Sequence, residues 1–589
     1  MRFEILLGLT LFLSPCLALG QTAYPTSPAA GTGGGGSSPL ATAAIAAVES
    51  GDLSSLADSL DRQAKTALEN VRGLEPISLA RLAAYREFAH FFGVTKDLPA
   101  PQKETLKWLA AREKLLETLM SAVTPRESSR EILDRLTQFH ADSIANCEAY
   151  PDLVTALLVV PNLQPYHQIL VTMPDENNVL RLFHYFANPN SPVRFNMRDL
   201  PWQLAVYVVD IKVSPSDMMW AVDRYFRKEQ IGSTYFDVPY DTSAYLNGGA
   251  RQIESRPYSL PNLLQFGGVC IDQAYYATQI AKTMGIPACI CVGEGGAGQA
   301  AHAWVGFLEV NNRRAKWNFE EGRYKEFLFW SAQIVDPQTQ EALSDADVGL
   351  LAELQNVTPQ ARLESTLILR EADLIDDAQR MDFYTKVIDL SPGNRQAWVA
   401  LANVAAEGKL TISQSDKIAK VVSKYAVKNY PDFAFAVLVR MARGTTGDQR
   451  IQALGRIGNF FTDRPDLLAR IRILQGNLLQ EDKKYNDAMV AYGDVLTHEL
   501  NAGPIIMQAM RHVDEIMRTQ NDLPRLAKIY SQVWRSLPVP DTSSFAAHTP
   551  FYEMGQTYAL LSDEIGNTAE ANSVRARLSQ LLGGSKPVQ

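Results

Sequence analysis

Residues 265–324 read QFGGVCIDQAYYATQIAKTMGIPACICVGEGGAGQAAHAWVGFLEVNNRRAKWNFEEGRY, and this stretch decides how the chain is built. Gly267 and Gly268 precede Cys270, and a helical pattern carried by AYYATQIAKTMG begins with or just after the cysteine. A thiol at a helix N-terminus faces unpaired backbone N–H groups and the positive end of the dipole, both of which favour the thiolate. Asp272 in the first turn offsets this slightly, and the two glycines allow close approach of the backbone to a substrate. Short β-branched or apolar runs follow at residues 289–292, 303–310 and 315–319, with another upstream at 202–209. A helix joined to several antiparallel strands predicts an α+β unit.

His302 opens the run AHAWVGFLEV, just after a glycine-rich loop. A histidine downstream of a helix-capping cysteine is the arrangement that nucleophilic acyl transfer needs. The thiolate attacks a carbonyl, and the imidazolium then protonates the leaving amine. A third group should orient the imidazole, and the following strand offers candidates. A hairpin loop of two or four residues near Asn311 to Arg314 puts residue 321 or 323 opposite His302, with Glu321 beside the ring. A loop of three or five residues presents Glu320 instead; Asn318 is a further alternative, and Asp336 in VDPQT reads as a turn former before Pro337. Trp304 shares the His302 face of a regular strand and is expected to wall the cleft. Residues 293–298 match GxGxxG, but a strand rather than a helix follows, so they read as a mobile loop beside the cleft and not as a cofactor fingerprint.

The blocks G-G-V-C-x-D, M-G-I-P-A, H-A-W-V and W-N-F-E-E-G-R-Y resemble the transglutaminase-like (papain-related) superfamily, over about 140 residues. More narrowly, they are similar to exported bacterial proteins that carry this domain between helical regions. The resemblance implies Cys270 as nucleophile, His302 as base and an acid on the next strand as orienter. The family normally has Asp there, where this chain offers Glu320 and Glu321. It also implies an oxyanion hole from the Cys270 backbone N–H and a side-chain amide, for which Gln265 is the candidate. Protein or peptide substrates are implied, and the expected chemistry requires no metal or organic cofactor.

Outward from this block the chain divides further. Residues 1–20 read as a signal peptide: Arg2, an apolar run from Ile5 to Leu13, then small residues before Gln21. A lipoprotein box ending at Cys16 is a poorer fit, because Pro15 precedes the cysteine. Export to the periplasm, the cell envelope or the medium follows, with no transmembrane helix once the signal is removed. Residues 21–40, rich in Gly, Pro, Ser and Thr, read as a flexible linker. Residues 41–200 form an expected helical domain, with Leu106, Leu109, Leu115, Leu116 and Leu119 at helical spacing. His90, His140, His167 and His184 are scattered through it without ligand spacing and read as structural.

Residues 201–345 hold the transglutaminase-like unit, and residues 358–589 lose the strand signal. There, aromatic residues run ahead of Pro392, Pro431, Pro465 and Pro538, resembling tetratricopeptide-type helical repeats. The expected architecture is therefore multidomain: an α-helical N-terminal region, an α+β papain-like core and a C-terminal helical array able to hold a protein partner. A formal net charge of −9 without basic clusters gives no electrostatic reason to expect nucleic acid or anionic lipid. Cys147, Cys270, Cys289 and Cys291 are too few for a disulfide framework. Cys289 and Cys291 read as small buried thiols on one strand face, with a disulfide to Cys147 as the alternative.

Overall fold

The helix that follows the two glycines spans Cys270–Thr283, and every side chain from Asp272 to Thr283 is buried. A helix buried all round must lie inside the molecule. The computed structural model describes residues 38–93, 95–142, 144–160, 179–247, 249–293, 302–311, 314–323, 331–408, 411–498, 503–540, 546–547 and 549–582. Most of these are helical, and the described strands make one antiparallel sheet. Its members are β1 (Ala288–Gly293), β2 (His302–Asn311), β3 (Arg314–Asn318), β4 (Gln333–Val335) and β5 (Ala342–Ser344). Their order is β3-β2-β1-β4-β5. Central β1 is covered on both sides, which is why CICV is apolar without alternation. The Cys270 helix packs on β1 and β2.

The register pairs Gly293 with His302 and Cys291 with Trp304. At the far end of β2, Asn311 pairs with Arg314, leaving two residues in the hairpin loop.

Trp202–Val209 is a helix, not the expected strand. An uninterrupted apolar run carries neither helical nor strand periodicity, so its period cannot separate the two states. Tertiary cover decides: the helix lies against Pro151–Val159 and the Cys270 helix, with residues 204–209 all buried.

The N-terminal region is a set of helices from Pro39–Ser50 to Val179–Ala187, and its five marker leucines are buried. His140 stacks on Trp108 at 4.6 Å, while His90 and His184 pair with Asp61 and Asp142, each at 2.9 Å. His167 lies outside the described residues. Toward the C-terminus, helices come in successive pairs, among them Pro431–Ala442 with Gly447–Gly458 and Pro465–Glu481 with Tyr485–His498. Pro431 and Pro465 each occupy a first helical position, where a missing N–H has no partner to lose. One apolar core runs from Ala41 through the sheet to Ile471, and a second gathers residues from Ala469 to Leu582. Among the described residues no helix is long and apolar enough to cross a membrane.

Candidate active site

The turn into the Cys270 helix is built by the chain pressing on itself. Gly268 N–H donates to the Pro239 carbonyl at 3.0 Å, and Asp241 N–H donates to the Gly268 carbonyl at 2.8 Å. Gly267 has φ of +77°, and a Cβ there would strike the Pro239 carbonyl; one on Gly268 would strike the Asp272 side chain. The expected reason for these glycines was approach to a substrate. The contacts instead require them for approach to the protein's own backbone.

Asp272, fully buried, accepts from Val269 N–H at 2.8 Å, from the Tyr258 hydroxyl at 2.7 Å and from Arg251 Nη1 at 2.8 and 3.1 Å. The carboxylate that would oppose the helix dipole is thereby ion-paired.

Cys270 is half-buried at the first helical position. Burial pushes its thiol up, and Asp272 adds to the rise. The backbone N–H groups of Ala303, Ile271 and Cys270 itself pull the other way. The Ala303 interaction ties the thiol to the residue directly after His302, at the start of β2.

His302 is 4% exposed, and burial pulls its imidazole down to about 4, against the Gly322 carbonyl, which favours the protonated ring. That carbonyl lies 2.7 Å from Nε2. A carbonyl only accepts, so Nε2 carries the proton and Nδ1 is the basic nitrogen of the neutral ring.

Nε2 donates to the Gly322 backbone carbonyl and to neither Glu321 nor Glu320. With two residues in the hairpin loop, the continuing register would set residue 323, not 321, opposite His302. β3 ends at Asn318, and the chain turns through Glu321 and Gly322, whose φ is +82°. Glu320 is 65% exposed and lies 3.7 Å from Arg323, while Glu321 packs toward Gly232. Asn318 pairs with Phe307, five residues along β2 from the histidine. Asp336 forms the turn expected of it, accepting from the N–H groups of Gln338 at 3.0 Å and Thr339 at 2.7 Å.

Two other expectations change. Gln265 is exposed on the preceding helix, Leu260–Phe266, and among the described residues no hydrogen bond fixes its amide over Cys270. Trp304 is fully buried, stacked at 5.8 Å on His302 and capped by Arg323 at 5.1 Å; it supports the imidazole from within the core and does not wall a cleft. The GxGxxG stretch lies largely outside the described residues.

Tyr235 went unnoticed in the sequence. Its hydroxyl donates to the Ala303 carbonyl at 2.9 Å, and its ring lies so close to Gly322 that a Cβ there would come within 2.7 Å. It thus braces both the strand beside the thiol and the carbonyl that orients the histidine. Nothing in IGSTYFDVPYD marks it, because its role exists only once β2 and the Gly322 turn are in place.

Cys289 and Cys291 are buried neighbours on one face of β1, and Cys147 is buried against the Phe139 carbonyl at 3.6 Å; all are free thiols, so the alternative disulfide is not formed. Among the described residues no His, Cys, Asp or Glu cluster is gathered as a metal ion would require. No protein-family model, curated protein or solved structure matches this chain.

Proposed function

We propose that the chain is a cysteine-dependent acyltransferase or amide hydrolase acting on protein or peptide substrates, built on a transglutaminase-like, papain-related core. The observation that carries this reading is the juxtaposition of the Cys270 thiol with the Ala303 N–H, beside a histidine whose proton is held on Nε2. In the reaction, Nδ1 of His302 takes the thiol proton as sulfur attacks the substrate carbonyl. The C–N bond breaks, the amine leaves with that proton, and a thioester remains on Cys270. A second amine or water then attacks the thioester, and the thiol regains its proton. The Cys270 backbone N–H, at the helix terminus, would donate to the oxyanion.

Because the thiol is pushed up and the imidazole down, His302 acts as a general base on a neutral thiol and not as half of a standing ion pair. The signal-like N-terminus puts this chemistry outside the cytoplasm, and the C-terminal helix pairs offer a surface for a protein partner.

A glutamine peptide incubated with a primary-amine probe tests the reading. Mass spectrometry should find amine incorporated or glutamine converted to glutamate, and Cys270→Ala should abolish both. Product formation that survives Cys270→Ala sinks the proposal.

A second reading is a non-catalytic scaffold that binds its partner through the helix pairs. It is favoured by the near-complete burial of His302 and by the hydrogen bond of its Nε2 to a backbone carbonyl. A thiol whose reactivity ignores His302 would select it.

A further inference from the structure

Arg251 reaches Asp272 from outside the helix. It stands just before the short turn Gln252–Ser255, and its Nη1 bridges both carboxylate oxygens at 2.8 and 3.1 Å, while Nε bonds Glu254 at 2.8 Å. Asp272 lies two residues beyond Cys270, in the first helical turn. An uncompensated carboxylate there would oppose both the dipole and the backbone N–H groups acting on the sulfur. Among the described residues, the charged and titratable groups around the thiol are few. Asp272 and Arg251 form the ion pair, Tyr258 donates to Asp272, Tyr245 from helix Thr242–Asn247 interacts electrostatically with Cys270, and His302 lies on β2. Arg251 is the cation among them whose contact with the first turn is direct.

We propose that Arg251 is a positioning residue for Cys270: by neutralising Asp272 at the helix start, it leaves the positive end of the helix dipole acting on the thiol sulfur. This rests on the reading of Cys270 as nucleophile, but its test reads the ionisation of the thiol and needs no turnover. Arg251→Gln removes the cation and leaves the buried carboxylate charged through its remaining bonds to Val269 and Tyr258. Arg251→Lys keeps the charge. Arg251→Gln combined with Asp272→Asn removes both charges together.

The experiment is iodoacetamide alkylation of Cys270 followed by peptide mass spectrometry across pH 6 to 10, in the full chain and each variant, with unfolding curves to show that each is folded. Arg251→Gln should move the profile up by about one pH unit, a roughly tenfold slower reaction at pH 7. Arg251→Lys should stay close to the parent, and the double variant should return to it. A folded Arg251→Gln with an unmoved profile overturns the proposal, as does a double variant that stays shifted. A thiol unreactive at every pH in the parent overturns it too. If Arg251→Gln does not fold, Asp272→Asn alone leaves Arg251 paired only with the more exposed Glu254 and must lower the profile; no movement there also overturns it. Loss of peptide turnover with an intact Arg251 effect would instead count against the catalytic reading alone.

Discussion

At the scale of residues, the site works by withholding water. Desolvation disfavours the charged form of both members, raising the Cys270 thiol and bringing His302 to about 4. The imidazole is oriented through its hydrogen bond from Nε2 to the Gly322 carbonyl. Gly322 is the residue on which that bond depends, because its φ of +82° and the Tyr235 ring leave no room for a side chain. Gly322→Ala should destabilise the chain by about 2 to 4 kcal/mol, through backbone strain and overpacking, and should lower turnover further than the unfolded fraction explains. Urea unfolding with a parallel activity assay checks this; a full-activity variant would show that the carbonyl does not orient the ring. Cys270 and His302 were legible because each sits at the first residue of a strongly patterned element. The orienting group was not, since it depends on hairpin loop length and on where β3 stops, and a backbone carbonyl has no letter in the sequence.

At the scale of elements, the Cys270 helix carries the thiol at one end and a buried ion cluster at the other. In its last turn, Lys282 reaches the Asp210 carboxylate at 3.1 Å, and Lys212 reaches the same group at 2.8 Å. Burial pushes the Asp210 carboxyl up, but Lys282 and Lys212 outweigh it and hold it low. Asp210→Asn would take a shared counter-charge from two buried ammonium groups, and unfolding stability should fall by about 3 to 5 kcal/mol. Denaturant unfolding at pH 7 measures it, and a loss under 1 kcal/mol would mean that water reaches the cluster. This cluster has no sequence signature, because Asp210 and Lys212 follow an apolar run whose period does not separate helix from strand. The C-terminal helix pairs were easier: proline at a first helical position is a local signal that tertiary packing does not reverse.

At the scale of the whole molecule, the N-terminal helices and the segment after the sheet are joined through a buried ion pair. Arg86 in helix Pro76–Phe92 lies 3.5 Å from fully buried Glu371, beyond helix Pro359–Leu369. Burial raises the Glu371 carboxyl to about 7, with Arg86 pulling it back down. A carboxyl raised in the folded state contributes stability that is fully present below its unfolded value near 4.5 and lost as pH rises through about 7. Stability should therefore decline by roughly 3 kcal/mol over that window on account of this group. Glu371→Gln should remove that decline, as seen in melting temperatures from pH 4.5 to 8; an unchanged slope would assign the decline elsewhere. Such a contact, joining residues nearly three hundred positions apart, has no sequence signature, although the patterning of each helix it joins was readable.

The central claim is that His302 draws the proton from Cys270, and the most direct measurement is the alkylation rate of Cys270 against pH in the parent chain and in His302→Ala. General-base assistance contributes about 10²- to 10⁴-fold. The account predicts that His302→Ala slows alkylation by at least about a hundredfold at pH 7, with the two rates converging at high pH, where hydroxide removes the proton unaided. Equal rates across the whole range would contradict it, and the Cys270 pocket would then be a structural feature of a binding scaffold.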